Sequence, residues 1–257
     1  MIWGQDLPAI SLEELNDSAA LQTRTDRKYI LTSDQARELL PLLAAGSRVL
    51  QIDALRSFNY SSIYFDTPEL DSYRLAAHPR RRRFKIRTRS YLDSGACFLE
   101  VKTEGAREQT VKERIEHDIS TRTTLNAASH SYIRQTLEEE LSGCPIDVGR
   151  LEPVLESSYQ RTTLPLADSG SRVTVDEDLA WRTPDTGALL RCDEVVLETK
   201  SAMSAGAVDR LLWRSGIRPS RISKFATGMS LLHSQLPANR WHHTTKHKIT
   251  TRWSLQD

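Results

Sequence analysis

Eight stretches of about ten residues alternate between apolar and polar side chains with a period of two. They lie near 22–31, 57–66, 82–92, 96–104, 109–119, 153–164, 171–180 and 192–201. Period two is the signature of β-strands, and a chain with eight such strands must find cover for eight apolar faces. Helical spacing falls mainly between the strand groups, at Ser33–Leu43 with Ser33 as N-cap, Thr121–Leu141, Ala205–Gly216 and Arg221–Leu236. The turns Asp93-Ser94-Gly95 and Glu104-Gly105-Ala106-Arg107 join the third, fourth and fifth strands as consecutive antiparallel hairpins.

The polar parity is unusual in composition. RRRFKIRTRSY places Arg83, Lys85, Arg87 and Arg89 on one face and Phe84, Ile86 and Thr88 on the other. The fourth strand sets Glu100, Lys102 and Glu104 on its charged face, and the fifth sets Lys112, Arg114, Glu116 and Asp118. The remaining strands add Arg24, Asp26 and Lys28, then Tyr159 and Arg161, then Arg172, Thr174, Asp176 and Asp178, then Glu194, Glu198 and Lys200. Two packings accommodate this pattern. With the charges outward, the apolar faces meet in a sandwich or small barrel. With the charges inward, a closed barrel is wrapped by amphipathic helices, and its lumen is wet. Buried unpaired ions cost several kcal/mol, and arginine cannot shed its proton, so such a lumen needs partner carboxylates or a polyanion with a divalent metal.

Composition narrows the function classes. Among 257 residues, 35 Lys and Arg stand against 34 Asp and Glu, so a polycationic tail protein is excluded and only local clustering informs. No apolar run approaches the ~20 residues that span a bilayer, and no leader pattern opens the chain, so a cytoplasmic protein without a membrane segment of its own is expected. Cys97, Cys144 and Cys192 have neither disulfide nor zinc spacing. P-loop, Rossmann and nucleophile-elbow motifs are absent. The stretch 1–236 reads as one domain, followed by a basic tail, 237–257, with His242, His243 and His247, expected to be frayed.

The segments TRTDRKYIL, SFNYSSIYFDTPELDSYR, KIRTRS, FLEVKTE, VKER, VLESSYQRTTL, RVTVDEDL, VVLETKS and SRISKFATGM, taken in order, resemble the VTC domain. That domain is the catalytic module of polyphosphate polymerases within the CYTH superfamily of triphosphate tunnel metalloenzymes. The resemblance covers roughly residues 20–236. It implies an α+β fold: a closed eight-stranded antiparallel β tunnel with a charged lumen, wrapped by amphipathic helices. It also implies that Arg87 and Arg89 pair on phosphate, that Lys102 and Lys112 are tunnel lysines, and that Arg161 matches the family's Y-x-R arginine. Glu198 matches its metal carboxylate, and Arg221 and Lys224 match the basic pair at one tunnel mouth. Lys28 is in place, while Asp26 stands where the family often has Glu. An SPX-like bundle and membrane helices, found in eukaryotic vacuolar members, have no counterpart here, so a separate membrane partner would be needed for translocation.

Phosphoryl transfer asks a protein for charge neutralisation, in-line placement and a metal bridging phosphates. Arg87, Arg89, Lys102, Lys112 and Arg161 are the expected catalytic set, with Lys28, Lys85, Arg114, Lys200, Arg221 and Lys224 binding substrate. Glu198 is the first choice to hold Mg2+ or Mn2+, followed by Glu100, Glu116 and Asp176. ATP and polyphosphate or triphosphate are the expected partners, with polyphosphate synthesis from ATP the expected reaction. Triphosphate hydrolysis on the same fold, or polyphosphate or nucleic-acid binding without turnover, are the alternatives. Nucleic acid is disfavoured because acids interleave with the cations and stacking aromatics are not gathered beside them.

Overall fold

The computed structural model describes residues 4–18, 25–78, 80, 82–104, 110–166, 171–201 and 204–254. In chain order the elements are β1 (Ala9–Ile10), α1 (Leu12–Ser18), β2 (Thr25–Leu31), α2 (Ser33–Ala44), β3 (Val49–Leu50), β4 (Ser57–Asp66), α3 (Asp71–Ala77), β5 (Arg83–Tyr91), β6 (Ala96–Glu104) and β7 (Thr110–Glu116). They continue with α4 (Ala127–Leu141), β8 (Glu152–Leu166), β9 (Ser171–Arg182), β10 (Leu189–Cys192), β11 (Val195–Ser201), α5 (Ala207–Arg214), α6 (Lys224–Leu232), α7 (His242–His247) and β12 (Thr251–Ser254). The fold is mixed α+β around one large antiparallel sheet.

Eight strands run side by side in the order β2-β11-β9-β8-β4-β5-β6-β7, every pair antiparallel. A two-strand spur, β10-β12, continues from the far end of β9. The expected closure is corrected: among the described residues no hydrogen-bonded ladder joins β7 to β2. The sheet nevertheless curls, because Asp26 and Lys28 of β2 line one cavity together with Lys85 of β5 and Lys102 of β6.

Helices cover the apolar parity. Tyr29, Leu31, Val173, Val175 and Leu197 pack with Leu39, Leu40 and Leu43 of α2 and Val208 and Leu212 of α5. Phe84, Ile86, Leu99 and Val101 pack with Ile133, Leu137 and Leu141 of α4. The charged parity therefore lies on the concave side. One end of that side is filled by α6, whose Phe225, Ala226 and Met229 join Tyr64, Leu155, Tyr159, Leu179 and Trp181 in a buried cluster. Gly228 allows this approach, since a Cβ there would overlap the Trp181 indole, which donates to the Lys224 carbonyl.

Several boundaries differ from expectation for local reasons. The cap of α2 is Thr32, not Ser33, in a reciprocal box with Gln35. α4 starts six residues later than expected because Asn126 caps it and a short 3-10 turn, Ile119–Thr121, precedes it. α6 starts at Lys224, where the Ser223 hydroxyl takes the Ala226 N–H, and the eighth expected strand divides into β10 and β11. The tail expected to be frayed is folded from 237 to 254: Trp241 is buried, and β12 pairs with β10. Arg24 and the turn residues Gly105, Ala106 and Arg107 lie outside the described residues.

Candidate functional site

Cross-strand register sets the site. Lys85 lies opposite Lys102, and Lys102 opposite Lys112, so three lysines stand in a row across β5, β6 and β7. The neighbouring row reads Arg87, Glu100, Arg114, and the next Arg89, Phe98, Glu116. On the other side of the sheet Arg161 lies opposite Asp176, and Glu198 opposite Lys28.

The charges separate into two ion clusters and an open cavity. Glu100, 2% exposed, accepts from Arg87 Nε and Nη2 at 2.8 and 2.6 Å, lies 2.6 Å from Lys112 Nζ and 4.0 Å from Arg89 Nε. Burial alone would raise its carboxyl, but Arg87, Arg89 and Lys112 outweigh it and hold the pKa down at about 2. Asp176, 1% exposed, takes a two-pronged contact from Arg161, Nε at 2.6 Å and Nη2 at 2.8 Å, and a second cation from Lys224 Nζ. Burial opposes ionisation there too, and the two cations keep the group well below the usual carboxylate range. The Arg161 guanidinium and the Lys224 ammonium also sit over the Tyr159 ring, at 5.1 and 4.2 Å from its centre.

Beside these clusters lies a cavity of about 400 Å³. Its lining carries six cations, Lys28, Arg83, Lys85, Lys102, Arg221 and Arg240, and two acids, Asp26 and Glu104. Both acids are engaged: Glu104 pairs with Arg83, and Asp26 lies 3.5 Å from Lys200. Lys102 is exposed to the cavity, and no described carboxylate pairs with it or with Lys85. The Lys85 ammonium donates to Ser223 Oγ at 3.0 Å; burial first, then Lys102, Lys28, Arg87 and Arg240, push its pKa down to about 7. Burial lowers Lys28 and Lys102 in the same direction; Lys28 adds to the lowering of Lys102, and Lys224 and Arg161 add to that of Lys28. Ser62 Oγ, Arg89 Nε, Ser157 Oγ, Tyr159 OH and Thr174 Oγ1 are buried on the concave parity without a hydrogen-bond partner among the described residues.

Of the residues anticipated from sequence, Lys28, Lys85, Lys102 and Arg221 come together in the cavity. Arg87, Arg89 and Lys112 meet around Glu100, and Arg161 and Lys224 around Asp176. Arg114 stacks on Phe98 at 4.7 Å, and both it and Glu116 are exposed on β7. Asp178 and Glu194 leave the concave face altogether: with Asp193 and Arg252 they line a separate cavity of about 260 Å³, where Glu194 accepts the Thr250 N–H. Arg240, which carries no motif, was not anticipated, nor were Tyr64 and Tyr60, whose rings lie 5.9 Å from the Arg87 and Arg89 guanidinium carbons; Tyr159 was placed on the charged face.

No group of three metal-ligating side chains occurs among the described residues. Glu100 and Asp176 have their oxygens committed to cations. Glu198 also faces lysines, Oε1 in contact with Lys200 and Oε2 3.6 Å from Lys28, and Lys200 in turn lies 3.5 Å from Asp26. One or two carboxylates suit a hard cation that takes its other ligands from phosphate and water, so Glu198 and Asp26 would have to exchange lysine contacts for Mg2+ or Mn2+ carried in on a substrate.

A putative adenylyl cyclase from Hippeastrum, described as having a dominant triphosphatase activity, superposes with a TM-score of 0.54 at 17% identity, over 85% of this chain and 100% of its own. A putative adenylate cyclase from Bacillus halodurans superposes with a TM-score of 0.51 at 10% identity, over 78% of this chain and 94% of its own. Both share the fold. No curated protein matches the sequence. The model of the VTC domain matches residues 23–233, which takes in every strand of the curled sheet, and the chain belongs to the VTC-domain family.

Proposed function

We propose that the concave face is a tunnel that grips a chain of phosphates, and that the protein makes polyphosphate from ATP. The observation that carries this reading is the lysine row Lys85, Lys102, Lys112 with Lys28 lining the same cavity, where Lys102 and Lys28 lower the pKa of Lys85 and Lys28 lowers that of Lys102. Like charges brought together at a site that already penalises charge demand a multivalent anion, and a phosphate chain supplies one negative charge per repeat at close spacing.

In this reading the arginines supply forked contacts and the lysines point charges, so that successive phosphates find a donor at several registers. Glu100 and Asp176 hold Arg87 and Arg161 in place, ready to stabilise charge developing on the γ-phosphate. The terminal oxygen of the acceptor chain forms a bond to the γ-phosphorus as the bond to the β,γ-bridging oxygen breaks, and ADP leaves with that electron pair. A divalent cation held through Glu198 would neutralise charge between phosphates. The buried hydroxyls of Ser62, Tyr159 and Thr174 add neutral donors along the path.

Hydrolysis of triphosphate is the second reading. The triphosphatase activity described for the similarly folded Hippeastrum protein favours it, and it differs only in water replacing the acceptor phosphate. Incubating the chain with labelled ATP and Mn2+ and separating products on a gel tests both. A ladder of lengthening products supports synthesis, and orthophosphate release without a ladder, from ATP or from tripolyphosphate in a parallel incubation, supports hydrolysis. Neither product in the presence of either metal would sink both.

A further inference from the structure

The family match ends at residue 233, yet the cavity continues past it. Arg240 and Trp241, in the segment between α6 and α7, line it beside Ser220, Arg221 and Ser223. The segment is anchored there. Trp241 is buried, Thr244 Oγ1 donates to the Arg221 carbonyl at 3.1 Å, and Lys248 Nζ donates to Ser220 Oγ at 2.9 Å.

Arg240 is half-buried, donates from Nη1 to the Ala76 carbonyl at 3.1 Å, and has no carboxylate partner among the described residues. One carbonyl satisfies one of the five N–H groups of a guanidinium. Burial, then Arg221, disfavour its charge, so a second arginine makes the position worse rather than better. Its place on the charged face follows from the order along β5: Arg83 and Lys85 line the cavity with Arg240 and Arg221, whereas Arg87 and Arg89, further along the same strand, belong to the Glu100 cluster. Arg240 and Arg221 thus lie at the Arg83–Lys85 end of the face, away from the Glu100 cluster.

We propose that Arg240, supplied from beyond the matched domain, binds the outward-running part of a phosphate chain and makes the site discriminate long chains from short ones. This rests on the reading of the concave face as a phosphate-chain site. A short anion drawn to the inner lysines and arginines leaves Arg240 uncompensated, whereas a longer one reaches it.

The test is calorimetric titration of the full chain with inorganic tripolyphosphate and with long-chain polyphosphate, for wild type, Arg240→Ala, Arg240→Lys and Lys102→Ala. Arg240→Ala is expected to weaken long-chain binding about tenfold or more, the size of one lost charge-assisted contact, and to change tripolyphosphate affinity less than about twofold. Arg240→Lys is expected to retain most of the long-chain affinity. Should Arg240→Ala fail to fold, Arg240→Gln keeps a donor for Ala76 while removing the charge and carries the same expectation. An unchanged ratio of the two affinities in Arg240→Ala or Arg240→Gln overturns the proposal. If Lys102→Ala loses neither ligand, the concave-face reading fails instead, and if wild type binds neither ligand both fall.

Discussion

Glu100 and Lys85 show how differently two neighbouring charges can be treated by one face of a sheet. Glu100 has three cations within reach, and its depressed carboxyl stabilises the fold above its unfolded value of 4.5; that stability is lost as the pH falls through about 2. Glu100→Gln should therefore cost about 3 kcal/mol near neutral pH, as expected for breaking a buried ion pair, and flatten the acid limb of a urea-unfolding series. Lys85 runs the other way. Its ammonium is depressed from 10.5 to about 7, so the folded state releases a proton first and the unliganded fold gains stability as pH rises from 7 towards 10.5. Anion binding has the opposite slope, because the protonated amine is the binding form. Tripolyphosphate affinity should fall about three- to tenfold from about pH 6 to about pH 8, and Lys85→Met should remove most of that dependence; an equally steep profile in the variant would assign the titration elsewhere. The charge alternation of RRRFKIRTRSY and FLEVKTE made these residues visible in the sequence. It could not show which cations keep carboxylate partners, since that depends on strands far apart in the chain, and Arg240 gave no signal because a lone arginine in an irregular segment has no period.

At the level of elements, two small features hold the filled end of the concave face. α6 lies against Trp181 through Gly228, and a methyl group there has no room. Gly228→Ala should destabilise by about 1–3 kcal/mol through overpacking, despite the gain in helix propensity, and a thermal melt at or above the wild-type midpoint would contradict the packing. Asp66 closes β4 and opens α3, accepting the N–H groups of Thr67, Ser72 and Tyr73 at 2.9 Å each. Asp66→Ala leaves three buried donors without partners and should cost at least about 2 kcal/mol, read as a lowered urea midpoint. The strands were legible because period two is a strong signal over ten residues. α3 and α7 were not: seven and six residues are too few to display helical spacing, and both depend on tertiary contacts such as the Asp66 cap and the burial of Trp241.

The whole molecule is a curled sheet dressed by helices on its convex side and charged on its concave side, and sequence alternation alone left the direction of the charges open. The hydrophobic clusters under α2, α4 and α5 settle it, because the apolar parity of seven of the eight strands, β2, β4, β5, β6, β8, β9 and β11, is spent there. Closure was not legible, since it depends on whether β7 and β2, far apart in the chain, meet edge to edge, which no local period reports. The account stands on the concave cations gripping a phosphate chain, and Lys102 is the sharpest probe of it: its ammonium faces the cavity without a carboxylate partner among the described residues, so its removal leaves no buried acid stranded. The deciding measurement is titration of wild type and Lys102→Ala with tripolyphosphate, with thermal midpoints recorded alongside. Saturable wild-type binding that weakens about tenfold in the variant at an unchanged midpoint is the predicted result; equal affinity in the two proteins, or no binding by wild type, would contradict it.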